Sequence, residues 1–234
     1  MAPVTLDNRL LAAANYVRQG AYFADIGTDH AYLPVYLCQQ GMLSAALATD
    51  IAEGPCRRAV RTVEAAGLSG CVQVLQTDGL EGLANRGLTD IAICGMGGEL
   101  IADILDRAPF VRDPAVRLVL LPMSRAAVLR RYLAAQGFDI QSESLAQAGR
   151  KLYACLCVHY TGQCQTLTPV EAELGPYHLT RTPKDPLFPL LVRQTLQRTK
   201  RRVAGRLAGG LDTTADAALA DALSEVLHDS SHAL

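Results

Sequence analysis

Between Ala21 and Gly137, segments with strand character alternate with segments of helical spacing five times, and the connections between them are only a few residues long. Apolar runs at 21–26, 45–49, 71–76, 90–94 and 116–121 read as buried strands. Residues 5–18 precede them as an amphipathic helix, with Leu6, Leu10, Ala14 and Val17 on one face and Thr5 in position to cap it. Helices are expected at 33–40, from Gly54-Pro55 to Gly67, as a short piece after Thr77-Asp78-Gly79, from Gly98 through Leu105, and from a Ser124 cap to Gly137. Such alternation leaves few solutions other than a parallel sheet with helices on both faces. Two further strand-like segments, 138–145 and 152–160, are joined by Gln147-Ala148-Gly149-Arg150 and read as an antiparallel hairpin closing one edge. The fold class is therefore α/β; periodicity by itself leaves the strand order open.

The turn after the first strand is Ala24-Asp25-Ile26-Gly27-Thr28-Asp29-His30-Ala31-Tyr32-Leu33-Pro34. Gly27 allows a sharp bend and the close approach of a ligand, and Pro34 falls in a first helical turn, where a missing N–H costs nothing. Open α/β sheets bind ligands at this end of their strands. Neither G-x-G-x-x-G nor G-x-x-x-x-G-K-[ST] is present at this turn, and Asp25 and Asp29 make it acidic. Those features point away from a phosphate cradle and toward a ligand bearing cationic or hydroxyl groups. Asp50 and Asp78 close the second and third strands. In a parallel sheet the three strand ends are neighbours on one rim, so their carboxylates could receive, in order, an amino group, ribose hydroxyls and an adenine amine. Asp also favours turns and caps for its own sake; it is the ordered series beside a glycine turn that argues for a nucleoside ligand carrying an amino acid. S-adenosylmethionine has those parts, and the sheet is the one expected of Rossmann-like class I methyltransferases. The expected cofactor residues are Asp25, Gly27, Thr28, His30, Asp50, Ile51, Asp78, Gly79, Gly95 and Met96. Gly97 and Gly98 follow in the same glycine-rich turn, where this fold places a methyl acceptor. An Asp-Pro-Pro-Tyr or Asn-Pro-Pro-Tyr motif, expected for exocyclic amine methylation, is absent from that turn.

Beyond Gly162 the pattern changes. Thr168-Pro169, Gly175-Pro176, Thr182-Pro183 and Asp185-Pro186 punctuate what reads as a linker. A long helix from Phe188 to about Leu207 follows, with Phe188, Val192, Leu196, Thr199, Val203 and Leu207 forming a coiled-coil-like stripe. Gly209-Gly210 turns the chain into a second helix from Thr213 to Leu227. Two domains are thus expected, 1–162 for catalysis and 163–234 for a linker and helical hairpin. The whole chain carries −1, yet from Glu171 to Arg206 eight cations stand against three acids, which leaves −6 for the remainder. A basic helix on an otherwise acidic protein points to a nucleic-acid backbone. Arg198, Lys200, Arg201 and Arg202 are the expected contacts, although a solvated helix face would look similar.

The seven cysteines include no C-x-x-C pair, which argues against a disulfide framework or zinc site. Cys155 and Cys157 read as buried thiols within a strand. No metal is expected. The chain shows no apolar run of membrane-spanning length and no signal-peptide pattern at its start, so it is read as soluble and cytoplasmic. Oligomerisation is possible and nothing indicates it.

The Asp25-to-Pro34 block, Glu53-Gly54-Pro55, Asp78-Gly79-Leu80, Gly95-Met96-Gly97-Gly98 and Leu174-Gly175-Pro176-Tyr177 together resemble the bacterial tRNA adenine-22 N1-methyltransferases. The resemblance runs to about residue 207 and implies a Rossmann-like catalytic domain, a C-terminal helical hairpin, S-adenosylmethionine as donor and tRNA as acceptor. Thr28 and Asp50 depart from the Ser and Glu common in that family. Adenine N1 carries a lone pair at neutral pH, so methyl transfer to it needs no general base. Asp29 is the expected stabiliser of the cationic product and Tyr32 a stacking or hydrogen-bonding partner of the base. Another class I methyltransferase acting on a small molecule or protein, and a non-catalytic cofactor- or RNA-binding module with a dimerising hairpin, remain open alternatives at this level.

Overall fold

A computed structural model describes residues 3–181 and 185–232. Thr182-Pro183 of the expected linker and Lys184 of the expected basic segment lie outside the described residues. The chain divides into two compact units, Met1–Gln165 and Thr166–Leu234.

The first unit holds a seven-stranded sheet in the order β3-β2-β1-β4-β5-β7-β6. Its strands are β1 (Ala21–Ile26), β2 (Leu43–Asp50), β3 (Val72–Gln76), β4 (Asp90–Cys94), β5 (Arg117–Leu121), β6 (Phe138–Ala148) and β7 (Lys151–Tyr160). The first five are mutually parallel; β7 runs antiparallel to β5 and β6 pairs with it as a hairpin. The first strand is central because its run Ala21-Tyr22-Phe23-Ala24-Asp25-Ile26 is buried at every position but Tyr22, as a strand covered on both faces must be. One face packs Phe23, Ala46, Ala48, Val72, Ala92 and Val119 against Ala13, Ala14 and Val17 of α1 (Asn8–Ala14 and the turn after it), Leu33 and Leu37 of α2 (Tyr32–Gln39), and Ala59 and Val63 of α3 (Glu53–Ala65). Strand alternation turns Ala24, Ile26, Ile91, Ile93, Leu118 and Leu120, all buried, the other way. There α4 (Gly98–Asp106) and α5 (Ala126–Ala135) bury Ile101, Leu105, Leu129 and Leu133. At the amino end of β4 the buried Asp90 carboxylate accepts from the Arg18 Nε at 2.8 Å and the Arg18 backbone N–H at 2.9 Å, which pins the chain after α1 to the sheet.

Local differences from the sequence expectations have identifiable causes. The cap of α1 is Asp7, whose side chain accepts from the Arg9 and Leu10 amides, not Thr5. No helix follows Asp78: residues 78–86 are turns, because Gly79, Gly82 and Gly87 all take positive φ. Ser124 does not cap α5. Instead, the Met123 amide donates to the Met96 carbonyl and the Gly98 amide to the Ser124 carbonyl, both at 2.8 Å, extending the β4–β5 pairing past the strands. Arg125 then occupies the cap position in the left-handed conformation, with no side-chain cap.

In the second unit, the stretch expected as linker is partly helical. Pro169 and Pro176 open α6 (Pro169–Leu174) and α7 (Pro176–Thr180), and a capping box between Thr168 and Glu171 fixes the start of α6. The hairpin is α8 (Phe188–Ala208) with α9 (Thr214–His232) packed against it. Phe188, Val192, Leu196 and Thr199 of the stripe are buried, whereas Leu207 is 68 % exposed, since it lies at the hairpin's tip where α9 has not yet begun.

Candidate active site

The β1–α2 turn is built around two left-handed residues. Gly27 has φ +75° and Ala31 has φ +54°. Between them the Thr28 amide donates to the Thr49 carbonyl of β2 at 2.7 Å, and the Thr28 hydroxyl accepts from the Ala31 amide at 3.0 Å. A side chain on Gly27 would be strained at that φ and would displace the terminal methyl of Met96, which lies 2.1 Å from where its Cβ would stand. The tight turn leaves Asp29 and His30 facing outward. Behind it, Asp25 is 6 % exposed. Burial pushes its carboxyl up to about 6, against the opposing effect of the Thr28 hydroxyl.

Of the residues selected from sequence, Asp25, Gly27, Thr28, Asp29, His30, Tyr32, Gly95 and Met96 line one cavity of about 310 Å³. Sequence reasoning did not select the six others in its wall: Arg9, Leu10, Leu33, Cys94, Leu121 and Met123. Burial holds the Cys94 thiol far above its ordinary range, so it is a neutral wall residue. The Asp29 carboxylate forms an ion pair with Arg58 of α3, hydrogen-bonded through the Arg58 Nε at 2.9 Å, and stands 3.3 Å from the His30 Nε2. Arg58 was also invisible to sequence reasoning, because only the packing of α2 and α3 brings it to the turn. The His30 and Tyr32 rings stack nearly parallel, 4.9 Å between centroids at 7°. Tyr32 is 43 % exposed.

The remaining selected residues lie outside that cavity wall. The end of β2 is beside the end of β3, with Asp50 paired to Gln76 and the Thr77 amide donating to the Asp50 carbonyl at 3.0 Å. Asp50 accepts from the Ala52 amide at 2.8 Å, and the next residue, Ile51, is 63 % exposed. Asp78 pairs with Arg107 at 3.2 Å, and Gly79 packs against Ile104. Asp25, Asp50 and Asp78 thus follow one another along adjacent strand ends, as a nucleoside bound across a parallel sheet requires. Gly97 and Gly98 begin α4 against the Ser124–Arg125 segment; a Cβ on Gly98 would sit 2.4 Å from the Arg125 carbonyl oxygen. Their packing explains the glycines without a ligand.

The residues fit a zwitterionic nucleoside cofactor. A buried acid, a left-handed glycine and one arginine share the cavity, and an ordered row of acids continues from it. Among the described residues, no group of three or more His, Cys, Asp or Glu side chains could hold a metal ion, and no helix is long and apolar enough to cross a membrane.

In the second unit, the expected RNA contacts Arg198, Lys200, Arg201 and Arg202, with Arg206 beside them, divide into two sets. Arg198 pairs with Glu173 and Arg202 with Asp216, each at 2.8 Å, and Arg206 donates to the Asp212 carbonyl at the same distance. These cations tie α8 to α6, α9 and the loop between the hairpin helices. Lys200 and Arg201 instead line an open hollow of about 630 Å³ with Arg193, Leu190, Leu196, Ala204 and Leu227.

Comparison with known proteins agrees with this geometry. Residues 6–156 match the Methyltransferase domain family. The tRNA (adenine(22)-N(1))-methyltransferase of Bacillus subtilis is 38 % identical over 156 residues, 67 % of this chain and 66 % of that protein, so the aligned stretch spans just under two thirds of that relative. A crystal structure of a Streptococcus pneumoniae protein, described as a candidate tRNA (m1A22) methyltransferase in complex with S-adenosyl-L-methionine, superposes with a TM-score of 0.83 at 32 % identity and covers 96 % of this chain and 100 % of that one. The crystal structure of the B. subtilis m1A22 tRNA methyltransferase gives 0.77 at 29 % identity, covering 98 % and 99 %. With its Rossmann-like sheet, its strand-end acids and these relatives, the chain belongs to the bacterial tRNA (adenine-22-N1)-methyltransferase family.

Proposed function

We propose that this protein transfers the methyl group of S-adenosylmethionine to N1 of adenine 22 in tRNA. The observation that carries the proposal is the β1–α2 turn, where a buried acid and a left-handed glycine on the cofactor side meet an exposed acid and an aromatic stack at the cavity mouth.

When bound, the cofactor supplies an electrophilic methyl group on a sulfonium centre. The chain's own residues then have separable tasks. Asp25 receives the ammonium group, for which it must be ionised. The Gly27 backbone admits the cofactor closely, and Gly95 and Met96 form the facing wall. Asp50 accepts from ribose hydroxyls, the exposed Ile51 side chain covers the adenine ring, and Asp78, with Gly79 shaping its turn, accepts from the adenine amine. The acceptor N1 already has a lone pair, so the protein holds it in line instead of deprotonating it. Its edge is occupied in folded RNA, and the base must be turned out. The outer face of Tyr32, stiffened by its stack on His30, suits a flat base. Asp29, held by Arg58 and His30, supplies negative charge near the ring that becomes cationic.

In this reading residues 1–162 form the catalytic domain, and 163–234 form the part that grips tRNA. Lys200, Arg201 and Arg193 suit phosphate contacts best, because no ion pair engages them within the described residues; Arg198 and Arg202 serve both the hairpin's own structure and its charge. Acceptor contacts at Gly97 and Gly98 would be made by backbone alone. A tRNA substrate places the activity in the cytoplasm. The proposal is tested by incubating the purified protein with methyl-labelled S-adenosylmethionine and two unmodified transcripts of one tRNA, with adenine or guanine at position 22. Label should enter the adenine transcript only; equal labelling of both would refute the assignment of position 22.

A further inference from the structure

Among the described residues, two that are not glycine take the left-handed conformation, Ala31 at φ +54° and Arg125 at φ +58°. Ala31 shapes the β1–α2 turn. Arg125 follows β5, two residues beyond Met123 of the cavity wall. The bonds that join Met123 to Met96 and Ser124 to Gly98 fix its place. Its carbonyl lies against Gly98 and accepts from the Val128 amide at 3.0 Å and the Leu129 amide at 3.2 Å. A left-handed backbone strains a residue with a Cβ, and glycine or asparagine would hold this turn at less cost. Nothing the Arg125 side chain does within the chain offsets that strain. It makes no hydrogen bond among the described residues and is 66 % exposed; the acid it approaches, Glu99 of α4, stands 3.9 Å from its Nε, beyond hydrogen-bond distance. The first turns of α4 and α5 also expose Leu100 and Val128. Strain that packing leaves unexplained collects at functional sites.

We infer that Arg125 binds a phosphate of the tRNA backbone beside the extruded adenine. The inference rests on the tRNA reading above and deepens it, because the acceptor approaches over the Gly95–Gly98 turn and Arg125 flanks that turn. A guanidinium presents a phosphate with paired N–H donors in a fixed plane, and these are open here. The exposed Leu100 and Val128 side chains suit the apolar face of a ribose. Turning a base out of its stack rotates the backbone that carries it, and a clamp on the neighbouring phosphate holds that conformation. Glu99 is the competing anion, and its carboxylate gives way when a phosphate arrives. Arg125 is a substrate-positioning residue and touches neither the transferred methyl group nor N1.

The test measures tRNA affinity across a salt series, together with methyl transfer, S-adenosylmethionine binding and thermal unfolding. Arg125→Gly relieves the strain, so its melting temperature should be unchanged or raised. Its tRNA affinity should fall about five- to tenfold and the slope of log affinity against log salt by about one, with S-adenosylmethionine affinity within about twofold of native. kcat/KM for tRNA should fall by at least the factor seen in binding. Arg125→Asn, which also tolerates the left-handed conformation, should reproduce the glycine variant, and Arg125→Lys should keep the slope and lose part of the affinity. Glu99→Gln should strengthen tRNA binding in the native background and have no such effect beside Arg125→Gly. Native tRNA affinity and salt slope in the Arg125→Gly protein would overturn the inference while leaving the tRNA reading intact. A melting temperature lowered by several degrees would also overturn it and make Arg125 a structural residue. Failure of the native protein to methylate the adenine-22 transcript would overturn the tRNA reading itself, and Arg125's role with it.

Discussion

At the scale of single residues, Asp25 couples the site to pH. Burial holds its carboxyl at about 6 in the folded chain, against an ordinary value of 3.8. The folded state therefore binds this proton more readily than the unfolded state. Between about pH 4 and pH 6 the ligand-free protein should lose stability as pH rises, by about 3 kcal/mol in total, because the ionised carboxylate is poorly solvated. Asp25→Asn should flatten that dependence in thermal or denaturant unfolding. A cofactor ammonium favours the ionised form, so affinity for S-adenosylmethionine should climb as pH rises through about 6; a dissociation constant that does not change from pH 5 to pH 8 would contradict the role given to Asp25. Asp29 gives a contrasting expectation. It is exposed at the mouth and not needed for the turn's backbone, so Asp29→Ala should abolish turnover while cofactor affinity stays within a few-fold. Complete loss of binding would move Asp29 to the cofactor site.

At the scale of elements, the central strands were the most legible. The bounds of β1 and β4 match the expected runs, because strands buried on both faces leave an unbroken apolar signature between polar turns. The rest depended on partners that no local pattern reveals. Three glycines separated by a few residues unwound the expected helix after β3. Pairing of the Met96–Gly98 and Met123–Ser124 backbones withdrew Ser124 from its expected cap. Within the site, the acids and glycines of the turns were readable as types, whereas Arg9 and Arg58 come from helices folded onto the turn and have no motif of their own. Another long-range pair gives a direct prediction. Arg130 of α5 and Glu143 of β6 form an ion pair at 2.8 Å, with both side chains almost wholly out of water. Removing one partner takes this compensation from the other buried charge, so Arg130→Met or Glu143→Leu should each lower unfolding free energy, by up to about 3–5 kcal/mol, and the double replacement should recover part of the loss. Additive losses in the double variant would show that the two side chains contribute independently.

For the molecule as a whole, a cofactor-binding sheet and a hairpin with a basic first helix share one chain. The hairpin's charges were countable in the sequence, but their division into two sets was not, since it depends on where Glu173 and Asp216 fall after folding. Lys200→Glu with Arg201→Glu should weaken tRNA binding and lower the slope of log affinity against log salt by about one for each phosphate no longer neutralised. The melting temperature should barely move, because neither residue has an ion pair among the described residues. Arg198→Glu faces Glu173 and would disturb structure and binding together. Unchanged affinity and salt slope in the Lys200/Arg201 variant would remove RNA binding from this face. The central claim concerns one atom of one nucleotide. The most direct measurement is to digest the methyl-labelled adenine-22 tRNA to nucleosides and identify the labelled species by chromatography and mass. The expected species is 1-methyladenosine. Label recovered as N6-methyladenosine, or in any nucleoside other than adenosine, would contradict transfer to N1 of adenine 22.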